Sequence, residues 1–538
     1  MKNEKWKMEN VRVLLPQDML LALALMLIAL VVRFIGLRLD SLWFDEAFSV
    51  RIARRSLSEI VRLTTTDVHP PLYYLLLHFW TRLFGETEST VRMLSVVFSA
   101  LTVFVIYRLA LLLFDRRTAV LTALLTALSP LQIFYAQEAR MYAQLTCLST
   151  ISVYFFLRWL KDGKRLSAVL YVISTAMLLY THLYAVFVVL AQCLYFAILF
   201  TLARETFQKR WRAWLAMSFI TGLLIVPWTL IAFQQAARAR GRFWIKEPDW
   251  FAPFQTLIEY SGSLWLTLLL LPLFLYGVKR CCEQRVTAET PSLPRLRALL
   301  LLWLILPISL PFVLSKLMTP FYLTKYTLAA SLPFYLFTAV GLTQVRSAAG
   351  RGILVVLICI CLATLLSSDL TTLKRERWRD AAYNVEREAQ AGDLVLFNST
   401  GSFLSYAYYA KRQDVPTKVF PYSSQAEESP NEVLLLERGA AEALGSVNSP
   451  NTEQETNDLL RKEVGVHKRV WIVARYGDGF KNDVMKAFGD AFRSTTQPAL
   501  CVRQIRFLFS ESLGETESAI YLQRSSLSCV PQVYLLER

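Results

Sequence analysis

The sequence predicts a polytopic α-helical membrane protein followed by a small α/β domain, and three observations predict it. Residues 1–370 carry one apolar run after another, residues 371–538 do not, and the charge divides at the same boundary. Hydrophobic residues make up 54% of the 538, above the roughly 45–50% of soluble domains. Residues 371–538 hold 21 Lys and Arg against 22 Asp and Glu, so the net charge of +16 belongs to the apolar part. A nucleic-acid binder concentrates its basic excess on a polar domain, so no nucleic-acid partner is expected. Basic residues in short loops between apolar segments set membrane orientation instead.

Eleven segments approach the roughly 20 residues that a bilayer crossing needs. They are 15–37, 88–114, 118–136, 139–159, 165–181, 183–203, 213–234, 263–278, 298–317, 324–343 and 352–370. The first is long for a cleaved signal peptide and no A-x-A-like site follows it, so it is read as a span. Lys2/Lys5/Lys7, Arg116/Arg117, Lys161/Lys164/Arg165, Lys209/Arg210/Arg212, Lys279/Arg280/Arg285 and Arg346/Arg351 fall in the connections of one side. The two tightest turns of the other side, near 137–140 and 181–184, carry Arg140 alone. The positive-inside rule then makes the amino terminus cytoplasmic, and an odd number of spans puts 371–538 outside.

Of the eight cysteines, Cys147, Cys193, Cys281, Cys282, Cys359 and Cys361 lie in or beside spans and show no C-x-x-C spacing. Cys501 and Cys529 share the outer domain, where a disulfide and two free thiols both fit.

The long connection between the first span and Val91 is expected to lie in the membrane interface. Phe44, Phe48, Ile52 and Ile60 recur near helical spacing over 44–63, with Arg51, Arg54, Arg55, Ser58 and Arg62 on the other face. Pro70-Pro71 then opens a second interfacial or partly inserted helix to Phe84. The outer loop 235–262 contains Arg238, Arg240, Arg242, Trp244 and Lys246. The outer domain begins at Lys374–Asp380, with strands at Leu394–Phe397, Arg469–Ala474 and Gln532–Leu536 and a helix at Arg379–Ala391. That length suffices for a core of its own. Polar stretches at 423–431 and 446–457 read as surface loop, and no internal repeat is found.

Asp45 and Glu46 follow the first span, flanked by Trp43, Phe44 and Phe48. Adjacent carboxylates amid aromatics at a membrane surface are costly to desolvate and need partners or a role; a solvated acidic pair beside a helix is the plainer reading. Asp67 and His69, held by Pro70-Pro71, fit a metal or an oriented base, or Asp67 simply caps the helix start. Glu138, Arg140 and Tyr142 occupy a tight outer turn, where the Glu and Arg also suit one another as an ion pair. His182 and Tyr184 occupy the next outer turn, where a histidine is ordinary. Lys325 and Tyr326 head the tenth span, where a lysine also snorkels. What joins these residues is sidedness, since all map to the outer ends of spans. A secondary transporter would instead place its ionisable residues mid-span in broken helices, and a non-catalytic sensor would not need the Asp45 constellation.

The chain resembles the GT-C membrane glycosyltransferases, in particular the branch of bacterial enzymes related to protein O-mannosyltransferases and lipid A aminoarabinose transferases. The likeness rests on Asp45-Glu46, His69-Pro70-Pro71-Leu72-Tyr73, Glu138-x-Arg140-Met141-Tyr142 and Lys325-Tyr326, in order over about residues 15–345. The resemblance implies a GT-C fold of about eleven spans in a bacterial inner (plasma) membrane. It implies a polyprenyl- or dolichyl-phosphate sugar donor and inverting transfer to a lipid, glycan or protein hydroxyl outside the cytoplasm. It makes Asp45 the base, with Glu46 and Glu138 as further catalytic carboxylates. Many relatives carry Arg where Lys325 stands, and the aminoarabinose enzymes have Glu-Lys where this chain has Val68-His69. The leaving lipid phosphate needs cations, for which Arg140, Lys325 with Tyr326, and Arg240 are the candidates. Tyr73 and Tyr142 are candidates for substrate positioning. A divalent ion (Mg, Mn or Zn) held by Asp67, His69 and His182 is a further expectation.

The topology is tested with cysteines placed near Ser402 and near Asp162. In intact cells a membrane-impermeant thiol reagent should label the first and not the second; the reverse pattern would invert the assigned sidedness.

Overall fold

Every apolar segment becomes helical in a computed structural model of the chain, which describes residues 16–202, 210–239, 245–283, 293–371, 376–397, 400–412, 414–419, 469–474, 493–496 and 532–537. The described helices that correspond to spans are α1 (Pro16–Phe34), α5 (Glu88–Leu113), the pair α6 (Arg116–Leu128) and α7 (Pro130–Ala136), α8 (Tyr142–Asp162), α9 (Arg165–Leu179) and α10 (Ala185–Leu202). They continue as α11 (Trp211–Ala239), α13 (Leu264–Glu283), α14 (Leu293–Leu317), a 3-10 turn (Thr324–Ala330) leading into α15 (Ser331–Thr343), and α16 (Ala348–Thr371). By length and composition, seven helices among the described residues are apolar enough to cross a membrane, or eight counting α6 and α7 as one bent span. That is fewer than the eleven expected. α9 and α10 are shorter apolar helices. α8 carries Gln144, Thr146, Ser149, Thr150 and Ser152, all buried, which suits a helix packed inside a bundle rather than one facing lipid.

The α6–α7 pair bends by 55°, and the sequence explains where. Pro130 has no N–H to offer the carbonyl four residues back, so Thr126 O loses its helical donor and Ala127 O is freed at the break. Arg33, fully buried at the end of α1, supplies the missing donors. Its Nη1 donates to Ala127 O at 2.8 Å, its Nη2 to Thr126 O at 3.1 Å, and its Nε to Ser99 Oγ at 2.7 Å. Ser129 restarts α7 by accepting from Gln132 N. Beyond α7, Gln137 Nε2 donates to Arg33 O at 3.1 Å and to Ile35 O at 2.7 Å.

α13 and α15 cross at two glycines. A Cβ built on Gly277 would lie 1.9 Å from Phe337 O, and one on Gly341 would lie 1.9 Å from Leu273 O. The backbones therefore touch where only glycine fits, as at small-residue crossings between membrane helices.

The chain divides into two compact units: Met1–Leu37 with Arg55–Thr371, and Arg38–Arg54 with Thr372–Arg538. The first unit also contains α3 (Leu57–Thr66), α4 (Leu72–Phe84) and α12 (Ala252–Ser261). The second contains α2 (Phe44–Ala53), α17 (Trp378–Glu388), α18 (Thr400–Tyr409) and a five-stranded sheet in the order β2-β1-β3-β5-β4. Its strands are β1 (Leu394–Phe397), β2 (Thr417–Val419), β3 (Arg469–Ala474), β4 (Arg493–Thr496) and β5 (Gln532–Glu537). β1 pairs parallel with β2 and β3, with Val395 opposite Trp471, while β5 runs antiparallel to β3 and β4. The core of this unit is Trp378, Leu394–Phe397 and Val470–Val473.

One expectation needs correction here. Residues 44–63 do not form one interfacial helix; they form α2 and the start of α3, in different units. The chain restarts at Ser56, whose hydroxyl accepts from Glu59 N while the Glu59 carboxylate accepts from Ser56 N, a reciprocal cap that fixes a new helix start. The pair Cys501 and Cys529 lies outside the described residues.

Gly341→Leu should destabilise the first unit by at least the roughly 1–3 kcal/mol of a typical overpacking substitution, because backbone on both helices must separate. Thermal unfolding of the detergent-solubilised protein measures it, and an unchanged midpoint would show that the helices do not approach this closely.

Candidate active site

The polar residues of the first unit's loops gather through the ends of α3, α4, α8, α10 and the 3-10 turn. α3 ends at Asp67, whose backbone is extended, and Pro70-Pro71 start α4. Gln235 of α11 ties this corner down by donating from Nε2 to Thr64 O at 2.9 Å and to Asp67 O. Leu72 N donates to Tyr180 O at 3.2 Å, which joins the start of α4 to the turn that carries His182.

From this frame a chain of side-chain contacts runs inward. Arg140 Nη1 donates to Tyr74 Oη at 3.2 Å, and Tyr74 Oη donates to Asp67 Oδ2 at 3.3 Å. His69 Nδ1 lies 3.5 Å from the same Asp67 oxygen. Burial raises the Asp67 pKa, but the hydrogen bond and charge of His69, with Arg140 beyond, outweigh it and hold the carboxyl below its ordinary value. Asp67 is therefore a carboxylate serving two neighbours. The Arg140 backbone is fixed as well, because Ser95 Oγ donates to Arg140 O at 3.2 Å and Tyr73 Oη bonds Ser95 Oγ at 3.2 Å. Tyr73 is fully buried and braces the turn through that contact. Glu138 is buried in the same turn, with Arg140 N donating to Glu138 O at 2.7 Å.

A second group adjoins the first through the histidines. The His69 and His182 rings meet edge-on at 5.4 Å, and His182 lies 4.8 Å from Tyr326 and 6.2 Å from Tyr142, centroid to centroid. Lys325 Nζ stands 5.6 Å from the Tyr142 ring and 5.7 Å from the Tyr326 ring, a cation over two aromatic faces. Burial, and then the charges of His69, Arg140 and Lys325, hold His182 well below the ordinary imidazole value, so the ring is neutral. Tyr184 N donates to His182 Nδ1 at 3.1 Å. That bond requires Nδ1 to be the acceptor, so the ring proton sits on Nε2. Nε2 is buried and has no hydrogen-bond partner among the described residues, leaving a neutral donor beside these charges.

The geometry thus joins Asp67, His69, Arg140, Tyr142, His182, Lys325 and Tyr326, with Glu138 and Tyr73 in adjoining structural positions. Arg240 lies outside the described residues. Among the described residues no three His, Cys, Asp or Glu side chains are disposed to hold a metal ion: His69 is turned to Asp67, and His182 Nδ1 accepts a backbone N–H.

Asp45 and Glu46 belong to the second unit and differ from one another. Glu46 is fully buried at the third position of α2, and its Oε2 accepts from Trp43 N at 3.4 Å, the contact of a capping carboxylate. Asp45 is half-buried in the first turn, and its backbone carbonyl accepts from Ser49 Oγ at 2.8 Å. The cap role falls to Glu46, which leaves Asp45 as the accessible carboxylate of the pair.

Two residues were missed in the sequence. Tyr74 bridges Asp67 and Arg140, and in sequence it is one aromatic in an apolar helix. Glu259 is a buried acid on α12, visible in sequence only as an acid in the long loop 235–262.

The family model of dolichyl-phosphate-mannose-protein mannosyltransferases matches residues 68–231. That stretch contains His69, Glu138, Arg140, Tyr142 and His182 but neither Asp45 nor Lys325. No curated protein matches the chain in sequence. Solved structures do match in fold. The ArnT structure from Cupriavidus metallidurans bound to undecaprenyl phosphate aligns with 96% of this chain and 97% of its own, at 12% identity and a TM-score of 0.60. The apo form of the same protein aligns over the same shares at 12% identity and a TM-score of 0.59. The Archaeoglobus fulgidus oligosaccharyltransferase, in complex with Zn and sulfate, aligns with 84% of this chain and 68% of its own at 12% identity and a TM-score of 0.52. The fold of the chain is that of the ArnT structures over nearly its whole length.

Proposed function

We propose that this protein is an inverting glycosyltransferase that moves a sugar from a polyprenyl-phosphate donor to a hydroxyl of a lipid, glycan or protein on the non-cytoplasmic face of the membrane. The observation that carries the reading is the full-length fold likeness to a structure holding undecaprenyl phosphate. It is supported by a cluster in the first unit suited to a phosphate: Arg140, Lys325 and the Nε2–H of His182.

The chemistry follows from these groups. The acceptor oxygen forms a bond to the anomeric carbon as the bond from that carbon to the phosphate oxygen breaks, through an oxocarbenium-like transition state. Asp45 takes the hydroxyl proton late in that step, a contribution on the order of 10²–10⁴ in rate. The departing polyprenyl phosphate gains negative charge, which Arg140 and Lys325 stabilise and His182 Nε2–H meets with a hydrogen bond. Lys325 stands over the faces of the buried Tyr142 and Tyr326. Asp67 holds Arg140 in place through Tyr74, because a cation left without a counter-charge at this depth is costly. Glu138 anchors the turn next to Arg140.

Asp45→Asn should leave the protein folded and able to bind donor but lower transfer at least about a hundredfold, from the general-base range. Turnover of purified protein in liposomes with a polyprenyl-phosphate sugar measures it; near-wild-type rates would remove Asp45 from the mechanism.

Lys325→Ala should weaken donor use strongly, whereas Lys325→Arg should retain a substantial part, since a guanidinium still offers charge to phosphate. Donor KM and kcat for the two variants decide the matter. Unchanged kinetics in Lys325→Ala would make Lys325 a membrane anchor.

A further inference from the structure

The segment that carries Asp45 is sequence-adjacent to the membrane spans, yet several of its hydrogen-bond partners lie more than 300 residues away. Residues Arg38–Arg54 form one compact unit with Thr372–Arg538. The contacts are polar and specific at the entry to α2. Arg379 N, one of the first amides of α17 without a partner in its own helix, donates to Ser41 Oγ at 3.1 Å across 338 positions of sequence. Arg379 Nη2 donates to Arg38 O at 3.1 Å. Leu42 N donates to Tyr409 Oη, at the end of α18, at 2.6 Å. The exit from α2 is held too, with the Arg54 guanidinium 5.9 Å over the Tyr408 ring. Between these points Phe44, the residue before Asp45, packs on Gly401 at the start of α18, where a Cβ would lie 3.4 Å from the ring.

We infer that the C-terminal unit is the mount of the Asp45 helix, and that Arg379, Tyr408 and Tyr409 are positioning residues for the proton-transfer step. The inference rests on the proposed role of Asp45. Its physical basis is that 38–42 has no regular structure of its own to fix it; its backbone groups and Ser41 hydroxyl are taken up by the ends of two helices of the second unit. Loosening those ends would leave Asp45 chemically intact but free to move. A displacement of about 1 Å at a reacting group can cost on the order of a hundredfold. A domain that served only to recognise the acceptor would have no reason to engage this segment at both ends of α2.

The test is the Arg379→Ala, Tyr409→Phe double variant of the full-length protein in liposomes, assayed with a polyprenyl-phosphate sugar. We expect kcat to fall about ten- to a hundredfold, with donor KM and the thermal midpoint close to wild type. A second variant adds Phe44→Cys and Gly401→Cys. The Gly401 Cβ position lies 3.8 Å from Phe44 Cβ, the separation typical of a disulfide. Oxidising that pair in the double-variant background should restore much of kcat, and reduction should remove the gain. A rise in acceptor KM with unchanged kcat would overturn the inference in favour of a recognition domain, and wild-type kinetics in the double variant would overturn it outright. These outcomes are separable from the proposed function. A wild-type protein that consumes no polyprenyl-phosphate sugar sinks the function. An active wild type with an inactive Asp45→Asn and an unaffected double variant sinks only the mount.

Discussion

The first unit is organised around one buried cation. Arg33 is fully buried, and among the described residues no carboxylate pairs with it; its charge is met by backbone carbonyls at the end of α6 and by Ser99. The arrangement works because Pro130 frees carbonyls that need donors, and a guanidinium offers several in one plane. An apolar residue at 33 would leave those carbonyls without partners in a dry interior, at about 1–3 kcal/mol each. The same bend directs α7 toward the turn holding Glu138 and Arg140, and Gln137 closes the loop by returning to the carbonyls of Arg33 and Ile35. The position of the candidate phosphate-binding arginine therefore depends on a residue over a hundred positions earlier.

In the site, as at the kink, a buried charge is held by a residue from another element. Arg140 is tied through Tyr74 to Asp67, and Asp67 also serves His69. Lys325 stands over the rings of Tyr142 and Tyr326. His182 is held neutral by burial and by the charges of His69, Arg140 and Lys325, so it adds a donor without adding a further repelling charge.

Much of this was legible in the sequence. Apolar runs located the helices, short β-rich runs located β1, β3 and β5, and the acids, imidazoles and cations at loop ends marked Asp67, His69, Arg140, His182 and Lys325. What escaped had weak local signals. Tyr74 was one aromatic in an apolar helix, and Ser56 with Glu59 divided what a hydrophobic period read as one helix. α8 was read as an ordinary span because it is apolar enough to suggest one, while its buried Thr and Ser side chains face protein.

The sequence by itself determined which segments are helical, which residues have chemistry to offer, and that the charge excess belongs to the apolar part. These are properties of local composition and period, and burial against any partner produces them. Only the tertiary structure decided who pairs with whom. It assigned Arg33 to the carbonyls of α6, Tyr74 to the gap between Arg140 and Asp67, and the Asp45 helix to the C-terminal unit across more than 300 residues. Pairings of that kind leave no periodic trace, because a hydrogen bond constrains one atom on each partner and leaves the intervening sequence free.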